Sequence, residues 1–149
     1  MKYFLRNCRN GENDVYPTSI EITENDGILC FIFEAENCQF YCPYNEYNGI
    51  HSFGDACEIL IGTDVNRKVY YEIEISPTNQ LMIAKMTYQG EDEEGVPILD
   101  IDFIEDCFVT SEVLRTSNGY IAKLCFNKAH IQTGEGEIFF NSYRLETDG

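Results

Sequence analysis

The chain has 149 residues, of which 26 are acidic and 10 are Lys or Arg, so its formal net charge is −16. This length supports one domain with its own hydrophobic core, and we expect a single domain over residues 1–149. The negative charge argues against binding to DNA, RNA or an anionic membrane surface, because these partners favour clusters of Lys and Arg. No apolar run reaches the length of a membrane span, and the first residues lack the apolar segment of a secretory signal.

The strand pattern is that of an all-β protein. Gly, Asn and Asp recur between short runs of alternating apolar and polar residues, and helical periodicity is scarce. We predict strands over 15–22, 28–36, 56–62, 69–76, 80–87, 98–104, 108–115, 119–126 and 136–146. A short helical turn is expected near 127–131. About nine strands predict a two-sheet antiparallel β-sandwich of the immunoglobulin-like or jelly-roll type.

The second predicted strand is the most apolar part of the chain. Nearly every residue from Ile28 to Phe33 is apolar, which favours a central strand covered on both faces.

The connection 39–53 is long and rich in aromatic and short polar side chains. A loop of this length and aromatic content is more typical of a functional segment than of a disordered one. Aromatic rings stack on the C–H faces of sugars while polar groups bond to hydroxyls, so Tyr44, Tyr47 and His51 are candidate ligand-binding residues. The alternative is that the tyrosines only close one end of the sandwich.

Residues 54–77 alternate in polarity and predict a β-hairpin. Its inward row comprises Cys57, Ile59, Ile61, Val69, Tyr71, Ile73 and Ile75. An even register keeps both inward rows on one face and places Glu58 opposite Glu72 or Glu74, on an outer face that we expect to be wet. Like charges across a ladder destabilise it by up to roughly 1 kcal/mol, so this face requires a cation, a hydrogen-bonding ligand or water.

The sequence gives little support for catalysis. A pair of carboxyl groups at roughly 5 Å fits a retaining glycosidase, but a wet strand face lacks the desolvation that keeps a general acid protonated. Nucleophile-elbow, P-loop and dinucleotide-binding motifs are absent from the sequence. We therefore expect a protein that is not an enzyme. The acidic segment 91–95 offers carboxylates to calcium without the spacing of a calcium loop, and a solvated loop is expected there.

Seven cysteines are an odd number, and none share the C-x-x-C spacing of a metal or redox motif. Cys30, Cys57 and Cys125 fall within predicted strands, where a free thiol behaves as a small core residue. This pattern favours a cytoplasmic protein. The alternative is a secreted protein whose signal has been removed, with a disulfide scaffold that leaves one thiol over.

Four segments in chain order resemble elements of one known family. Residues 55–61 and 70–77 are similar to D-S-V-E-I-F-I and Y-x-F-E-I-S-P motifs, residues 119–126 to G-W-T-V-E-L-A-I, and residues 138–146 to I-N-F-Y-R-I-E. These motifs are typical of family 9 carbohydrate-binding modules and their DOMON-like relatives. The resemblance implies a β-sandwich that binds a mono- or oligosaccharide without catalysis and that contains structural calcium in some members.

The resemblance also implies how a sugar would be held. Relatives clamp a terminal sugar between tryptophans, whereas this chain contains no Trp, so Tyr44 or Tyr47 would stack on the ring. The hydroxyls would bond to side chains on the hairpin and the final strand, with His51 at the rim. These side chains are Glu58, Glu72, Asn141 and Arg144.

Two other functions stay open at this point. A DOMON-like domain can bind haem or another cofactor, although neither the two His nor the three Met residues are suggestively placed. A sandwich with a degenerate sugar site could instead be a structural or protein-interaction domain that uses an exposed strand edge.

Overall fold

The computed structural model describes residues 2–13, 15–37, 39–50 and 54–146. Its strands are β1 (Lys2–Phe4), β2 (Thr18–Asn25), β3 (Ile28–Glu36), β4 (Ala56–Gly62), β5 (Val69–Ile75), β6 (Leu81–Glu91), β7 (Pro97–Phe103), β8 (Thr110–Arg115), β9 (Gly119–Asn127) and β10 (Phe139–Leu145). A 3₁₀ helix, Lys128–Ile131, follows β9 at the predicted helical turn. All nine predicted strands are present with ends shifted by a few residues, and β1 was not predicted.

The strands form two antiparallel sheets of five strands each, which confirms the two-sheet β-sandwich. The first sheet has the order β1-β2-β3-β9-β8, and the second sheet has the order β10-β4-β5-β6-β7. The chain passes from the first sheet to the second between β3 and β4, returns to the first sheet between β7 and β8, and passes to the second sheet again after β9. Strands β1 and β10 are therefore edge strands of different sheets.

The hydrophobic core lies between the sheets. Alternation turns Phe31, Phe33 and Leu124 of the first sheet towards Ile59 and Ile73 of the second, and all five are at most 1% exposed. Burial of each such side chain contributes roughly 1.5–3 kcal/mol relative to exposure. The inward row predicted for β4 and β5 is confirmed, since Cys57, Ile59, Ile61, Ile73 and Ile75 are buried and Val69 and Tyr71 are partly buried.

The register of the β4–β5 hairpin is even, as predicted. Ile59 lies opposite Ile73, and Glu58 lies opposite Glu74. Glu72 is paired with Leu60, one position further along the same face. The predicted encounter of carboxylates is therefore present, with Glu74 as the direct cross-strand partner of Glu58.

Strand β3 is central in its sheet, but only one of its faces is fully covered. Leu29, Phe31, Phe33 and Ala35 are buried, whereas Ile28 on the other face is 39% exposed. The prediction that both faces are covered is wrong, because nothing among the described residues packs across the outer face of the first sheet to bury this row.

Cys30 and Cys125 form a disulfide. The β3–β9 register places them directly opposite each other, with their Cα atoms 4.2 Å apart. The prediction of free thiols at these two positions is wrong, because the sequence alone did not reveal that the two strands are neighbours. Cys57 is free and buried as predicted, and the other free cysteines of the described residues are Cys8, Cys42 and Cys107.

Among the described residues, no helix is long and apolar enough to cross a membrane.

Candidate functional site

Three carboxyl side chains meet on the outer face of the second sheet, the face turned away from the first sheet. Glu58, Glu72 and Glu74 each offer an oxygen within 4.8 Å of the oxygens of the other two. The cause is the register: Glu58 opposes Glu74 across β4 and β5, and Glu72 lies two residues from Glu74 on the same face. In the described part of the chain this is the one group of acidic, Cys or His side chains close enough to share a cation. We call it the carboxylate cluster.

The outer face around the carboxylate cluster is partly shielded from water. Ile50 from the 39–50 connection packs with Met82, Ala84 and Met86 of β6 and with Ala56. Tyr44, Tyr70 and Phe103 pack against this second apolar cluster. Glu74 is only 2% exposed as a result. The prediction of a solvated outer face is wrong here, because the long connection folds over the sheet and shields it.

Burial and mutual repulsion change the acidity of the cluster. Desolvation, reinforced by the negative charges of Glu72 and Glu58 and by a side-chain hydrogen bond with Glu72, raises the pKa of Glu74 to about 9. Desolvation and the charge of Glu72 raise the pKa of Glu58 to about 7. Oε2 of Glu74 is buried and has no hydrogen-bond partner among the described residues. A cation or a hydroxyl donor at this oxygen would favour the ionised form of Glu74.

Polar and aromatic side chains border the carboxylate cluster. Tyr143 on β10 lies directly opposite Glu58, and its hydroxyl accepts a hydrogen bond of 2.6 Å from Nδ2 of Asn141. Tyr70 is close enough that the charges of Glu72 and Glu58 add to burial in raising its pKa. The structure thus brings together three predicted site residues, Glu58, Glu72 and Asn141.

Sequence reasoning missed Tyr70 and Tyr143 as site residues. Alternation placed Tyr70 in the outer row of β5, but the pairing of β10 with β4, which brings Tyr143 beside Glu58, has no local signal. Tyr143 and Arg144 are neighbours in sequence, so they lie on opposite faces of β10. Only the register with β4 determines which of them shares a face with the carboxylates.

The two candidate tyrosines of the connection lie in different places. Tyr44 packs on the outer face of the second sheet and against Gly54, where an added Cβ would lie 2.8 Å from the Tyr44 ring. Tyr47 packs against the core between the sheets, and its hydroxyl donates a 2.7 Å hydrogen bond to the carbonyl of Ile104. Tyr47 therefore has the closing role that was the alternative for these tyrosines. His51 lies outside the described residues.

Arg144 lies on the opposite face of β10 from the carboxylate cluster. It is paired with Cys57, so it points between the sheets, where its side chain is 6% exposed. Nη1 donates to Oγ1 of Thr18 at 3.0 Å and to the carbonyl of Glu36, and Nη2 forms an ion pair of 3.0 Å with Glu146. Arg144 thus joins β10 of the second sheet to strands of the first, and the structure does not place it with the other predicted site residues.

The acidic segment 91–95 forms an exposed turn. Oδ1 of Asp92 accepts hydrogen bonds of 2.9 Å from the amides of Glu94 and Val96, which closes the turn between β6 and β7. Among the described residues, the carboxylates of this segment do not lie close enough together to share a cation. The oxygen ligands that would suit calcium are instead those of the carboxylate cluster.

In comparisons with known proteins, no family model, no curated protein and no solved structure matches this chain. The resemblance to family 9 carbohydrate-binding modules therefore stays a prediction.

Proposed function

We propose that this protein is a non-catalytic carbohydrate-binding domain that recognises a mono- or oligosaccharide on the outer face of the second sheet. The observation that carries the proposal is the carboxylate cluster with Asn141 and Tyr143 beside it. Carboxylate oxygens accept hydrogen bonds from sugar hydroxyls, while an amide or a phenol can both donate and accept.

Glu74 supplies the strongest physical argument for a ligand. A buried polar atom without a partner costs about 1–3 kcal/mol, and Oε2 of Glu74 is such an atom. A hydroxyl donor from a ligand would satisfy this oxygen. Glu58 is partly exposed beside it and offers a second acceptor at the border with β10.

In the family this chain resembles, tryptophan rings stack on the sugar. Tyrosine rings would do so here. Tyr143 lies next to Glu58, and Tyr44 and Tyr70 are half-buried on the same face. Aromatic rings present large apolar faces and keep a polar group at one end, which suits contact with the C–H face of a sugar. We therefore propose Tyr143 as a stacking residue in place of Tyr47.

A non-catalytic role fits the arrangement better than hydrolysis. A retaining glycosidase needs two carboxyl groups that flank the scissile bond. Here Glu58, Glu72 and Glu74 project from adjacent strands of one sheet face, so they approach a bound sugar from the same side.

A divalent cation held by the carboxylate cluster is the second candidate ligand. Calcium prefers oxygen donors, and three carboxylates within 4.8 Å of one another, one with an unpartnered buried oxygen, fit that preference. A bound cation would supply positive charge that offsets the repulsion among the carboxylates. Glu58, Glu72 and Glu74 would hold it, with Asn141 and Tyr143 left to orient a sugar nearby.

Thermal-shift measurements against monosaccharides, xylo-oligosaccharides and cello-oligosaccharides, each with calcium and with a chelator, test the proposal. A ligand that binds only the native state raises the melting temperature. We expect a shift with at least one sugar, loss of that shift in Glu58→Gln and Tyr143→Ala, and retention in the control Glu21→Gln on the exposed face of β2. A shift with calcium alone selects the second candidate, and no shift with any sugar contradicts the first.

We also propose that the protein works in an oxidising compartment, which was the alternative to a cytoplasmic location. The cytoplasmic prediction depended on free thiols in strands, and two of those three cysteines are joined to each other. Disulfides persist in secreted proteins and are rare in the cytosol. Secretion of the full-length protein by its native host would support this proposal, and retention in the cytosol with both thiols reduced would contradict it.

A further inference from the structure

A cleft of about 810 Å³ opens where edge strand β10 faces the N-terminal segment. Its lining consists of residues 4–9, Tyr16, Thr18, residues 141–144 and Glu146. Organic ligands commonly occupy cavities of roughly 300–1,000 Å³. We call this cavity the edge cleft; it uses none of the three residues of the carboxylate cluster.

The charge of the edge cleft is opposite to that of the whole chain. Arg6, Arg9 and Arg144 line it, three of the 10 basic residues of a chain with 26 acidic ones. Glu146 is the one acidic side chain among the described residues of its lining. Guanidinium groups present planar sets of donors that match carboxylate and phosphate oxygens. The edge cleft is therefore a locally basic region in an acidic protein.

Two buried polar atoms of the edge-cleft residues have no hydrogen-bond partner. They are Nε of Arg144 and Oγ of Ser142. The terminal nitrogens of Arg144 are bonded to other residues, and its side chain is 6% exposed. A guanidinium nitrogen only donates and a hydroxyl can donate, so both atoms lack an acceptor. Leaving such groups unbonded is unfavourable, which points to an acceptor-rich ligand.

The other two arginines that line the edge cleft are exposed, and they lie in or beside a structured turn. The amide of Arg9 donates a 2.9 Å hydrogen bond to Oδ1 of Asn7. The amide of Gly11 donates a 2.8 Å hydrogen bond to the backbone carbonyl of Asn7. Nη1 of Arg6 donates to the carbonyl of Gly11 at 3.2 Å, and Gly11 has the left-handed φ of +72° that this turn requires. The turn presents both arginines at the surface, where their charges can meet a ligand without a cost of burial.

We propose that the edge cleft binds a small organic anion whose carboxylate or phosphate group lies among Arg6, Arg9 and Arg144. The apolar part of the ligand would rest on Phe4 and Tyr16, which are 69% and 43% exposed. An exposed aromatic pair beside basic groups favours a ring-bearing anion over a bare inorganic ion.

Two-dimensional ¹H–¹⁵N NMR titrations of the full chain with phenyl phosphate, benzoate, inorganic phosphate and neutral benzyl alcohol, at constant ionic strength, test this inference. We expect saturable shifts at residues 4–9 and 141–146 with phenyl phosphate or benzoate, weaker binding of inorganic phosphate and none of benzyl alcohol. The ratio of the first two affinities identifies the preferred acidic group. The absence of saturable shifts with either aromatic anion, or equal binding of benzyl alcohol, would overturn the proposal.

Charge variants provide the matched control. Arg6→Gln and Arg9→Gln should each weaken binding of the preferred anion about tenfold, as expected for loss of a charge-assisted hydrogen bond. Lys123→Gln removes the same charge from the exposed face of β9 and should leave the affinity unchanged. Equal losses of affinity in all three variants would show that binding responds only to net charge. That result would overturn the proposal of a binding site in the edge cleft. Glu58→Gln should bind the anion as the wild type does, which separates this result from the saccharide proposal.

Discussion

Glu74 combines burial with close like-charged neighbours. The β4–β5 register sets Glu58 across from it and Glu72 beside it, and the cover provided by the 39–50 connection removes water. Proton uptake relieves the repulsion when no ligand is present, because desolvation and the neighbouring charges both favour the neutral carboxyl group. The protonation state of one residue therefore links stability, pH and ligand binding on this face.

The raised pKa of Glu74 predicts that stability falls as the pH rises. In the unfolded chain this carboxyl group titrates near 4.5, and in the folded protein its pKa is about 9. Between these values the native state holds a proton that the unfolded state has released, so the free energy of unfolding decreases by up to about 1.4 kcal/mol per pH unit. Urea unfolding from pH 5 to pH 9 measures this slope.

The variant Glu74→Gln tests whether this residue causes the slope. Its neutral amide should make the protein more stable than the wild type at pH 8 and should flatten the curve above pH 7, leaving below that value the part due to Glu58, whose pKa is about 7. The control Glu21→Gln, exposed on β2, should keep the wild-type slope. A wild-type curve that is flat or rises above pH 7 would contradict this account of Glu74.

The contacts of Arg144 predict that substitutions at two arginines of the edge cleft differ in their effect on stability. Arg144→Gln removes hydrogen bonds to Thr18 and Glu36 and the ion pair with Glu146, so we expect a loss of about 2–3 kcal/mol in the free energy of unfolding. Arg9→Gln, at an exposed residue, should change stability by less than about 0.5 kcal/mol. Denaturant unfolding compares them, and equal stability of the two variants would show that Arg144 does not join the sheets as described.

At the residue scale, the sequence predicted the strand face on which a side chain lies better than it predicted how deeply that side chain is buried. Alternation correctly placed Glu58 and Glu74 on one face of a hairpin. It could not reveal that Ile50, from a distant connection, shields that face, because burial of an outer row depends on tertiary packing. The same limit explains Arg144: its place between the sheets follows from pairing with Cys57, which the local pattern of β10 does not contain.

At the scale of elements, β3 and β9 are joined both by their ladder and by a covalent bond. The Cys30–Cys125 disulfide closes a sequence separation of 95 residues on the outer face of the first sheet. Loop-closure entropy for a separation of this size corresponds to about 4–5 kcal/mol in the unfolded state, with smaller effects common in practice.

Thiol counting tests this cross-link. The Cys30–Cys125 disulfide withholds two of the seven cysteines, so the denatured, unreduced protein should release at most five equivalents of thiol reagent. The variant Cys30→Ser should release one equivalent more than the wild type and should lose about 2–5 kcal/mol of stability, whereas Cys107→Ser, a free exposed position, should release one fewer and keep wild-type stability. Seven equivalents from the unreduced wild type would contradict the disulfide.

Most elements could be predicted from the sequence because their signals are local. The alternation in 56–62 and 69–76 predicts two strands and their hairpin directly. Strand β1 was missed because Lys2–Phe4 is too short to show a period. The pairings of β10 with β4 and of β1 with β2 join distant or short segments, and no local pattern specifies them.

At the scale of the whole molecule, the second sheet separates two surfaces of opposite charge. Its outer face contains the carboxylate cluster, while the edge cleft on the other side of β10 gathers three of the basic residues. Asn141 and Tyr143 border both regions. In a chain of net charge −16, such a basic cleft is the region where an anion meets the least repulsion. The two proposed ligands therefore use different chemistry and can be tested separately.

The two-sheet fold could be predicted because composition, alternation and turn residues all favour it. The ligand could not be predicted in the same way. Aromatic and acidic residues such as Tyr47 and Glu74 can serve either packing or ligand recognition, and only their positions in the fold distinguish these two roles. The resemblance to family 9 carbohydrate-binding modules supplies a hypothesis for the ligand, and the geometry of the carboxylate cluster supplies the residues with which to test it.

A ¹H–¹⁵N NMR titration of the wild-type protein with the oligosaccharide panel, in calcium and in chelator, is the most direct test of carbohydrate binding. We predict saturable shifts for at least one sugar that are centred on Glu58, Glu72, Glu74, Asn141 and Tyr143, and that disappear in Glu58→Gln while persisting in Glu21→Gln. An absence of shifts with every sugar, or shifts centred elsewhere in the chain, would contradict the account.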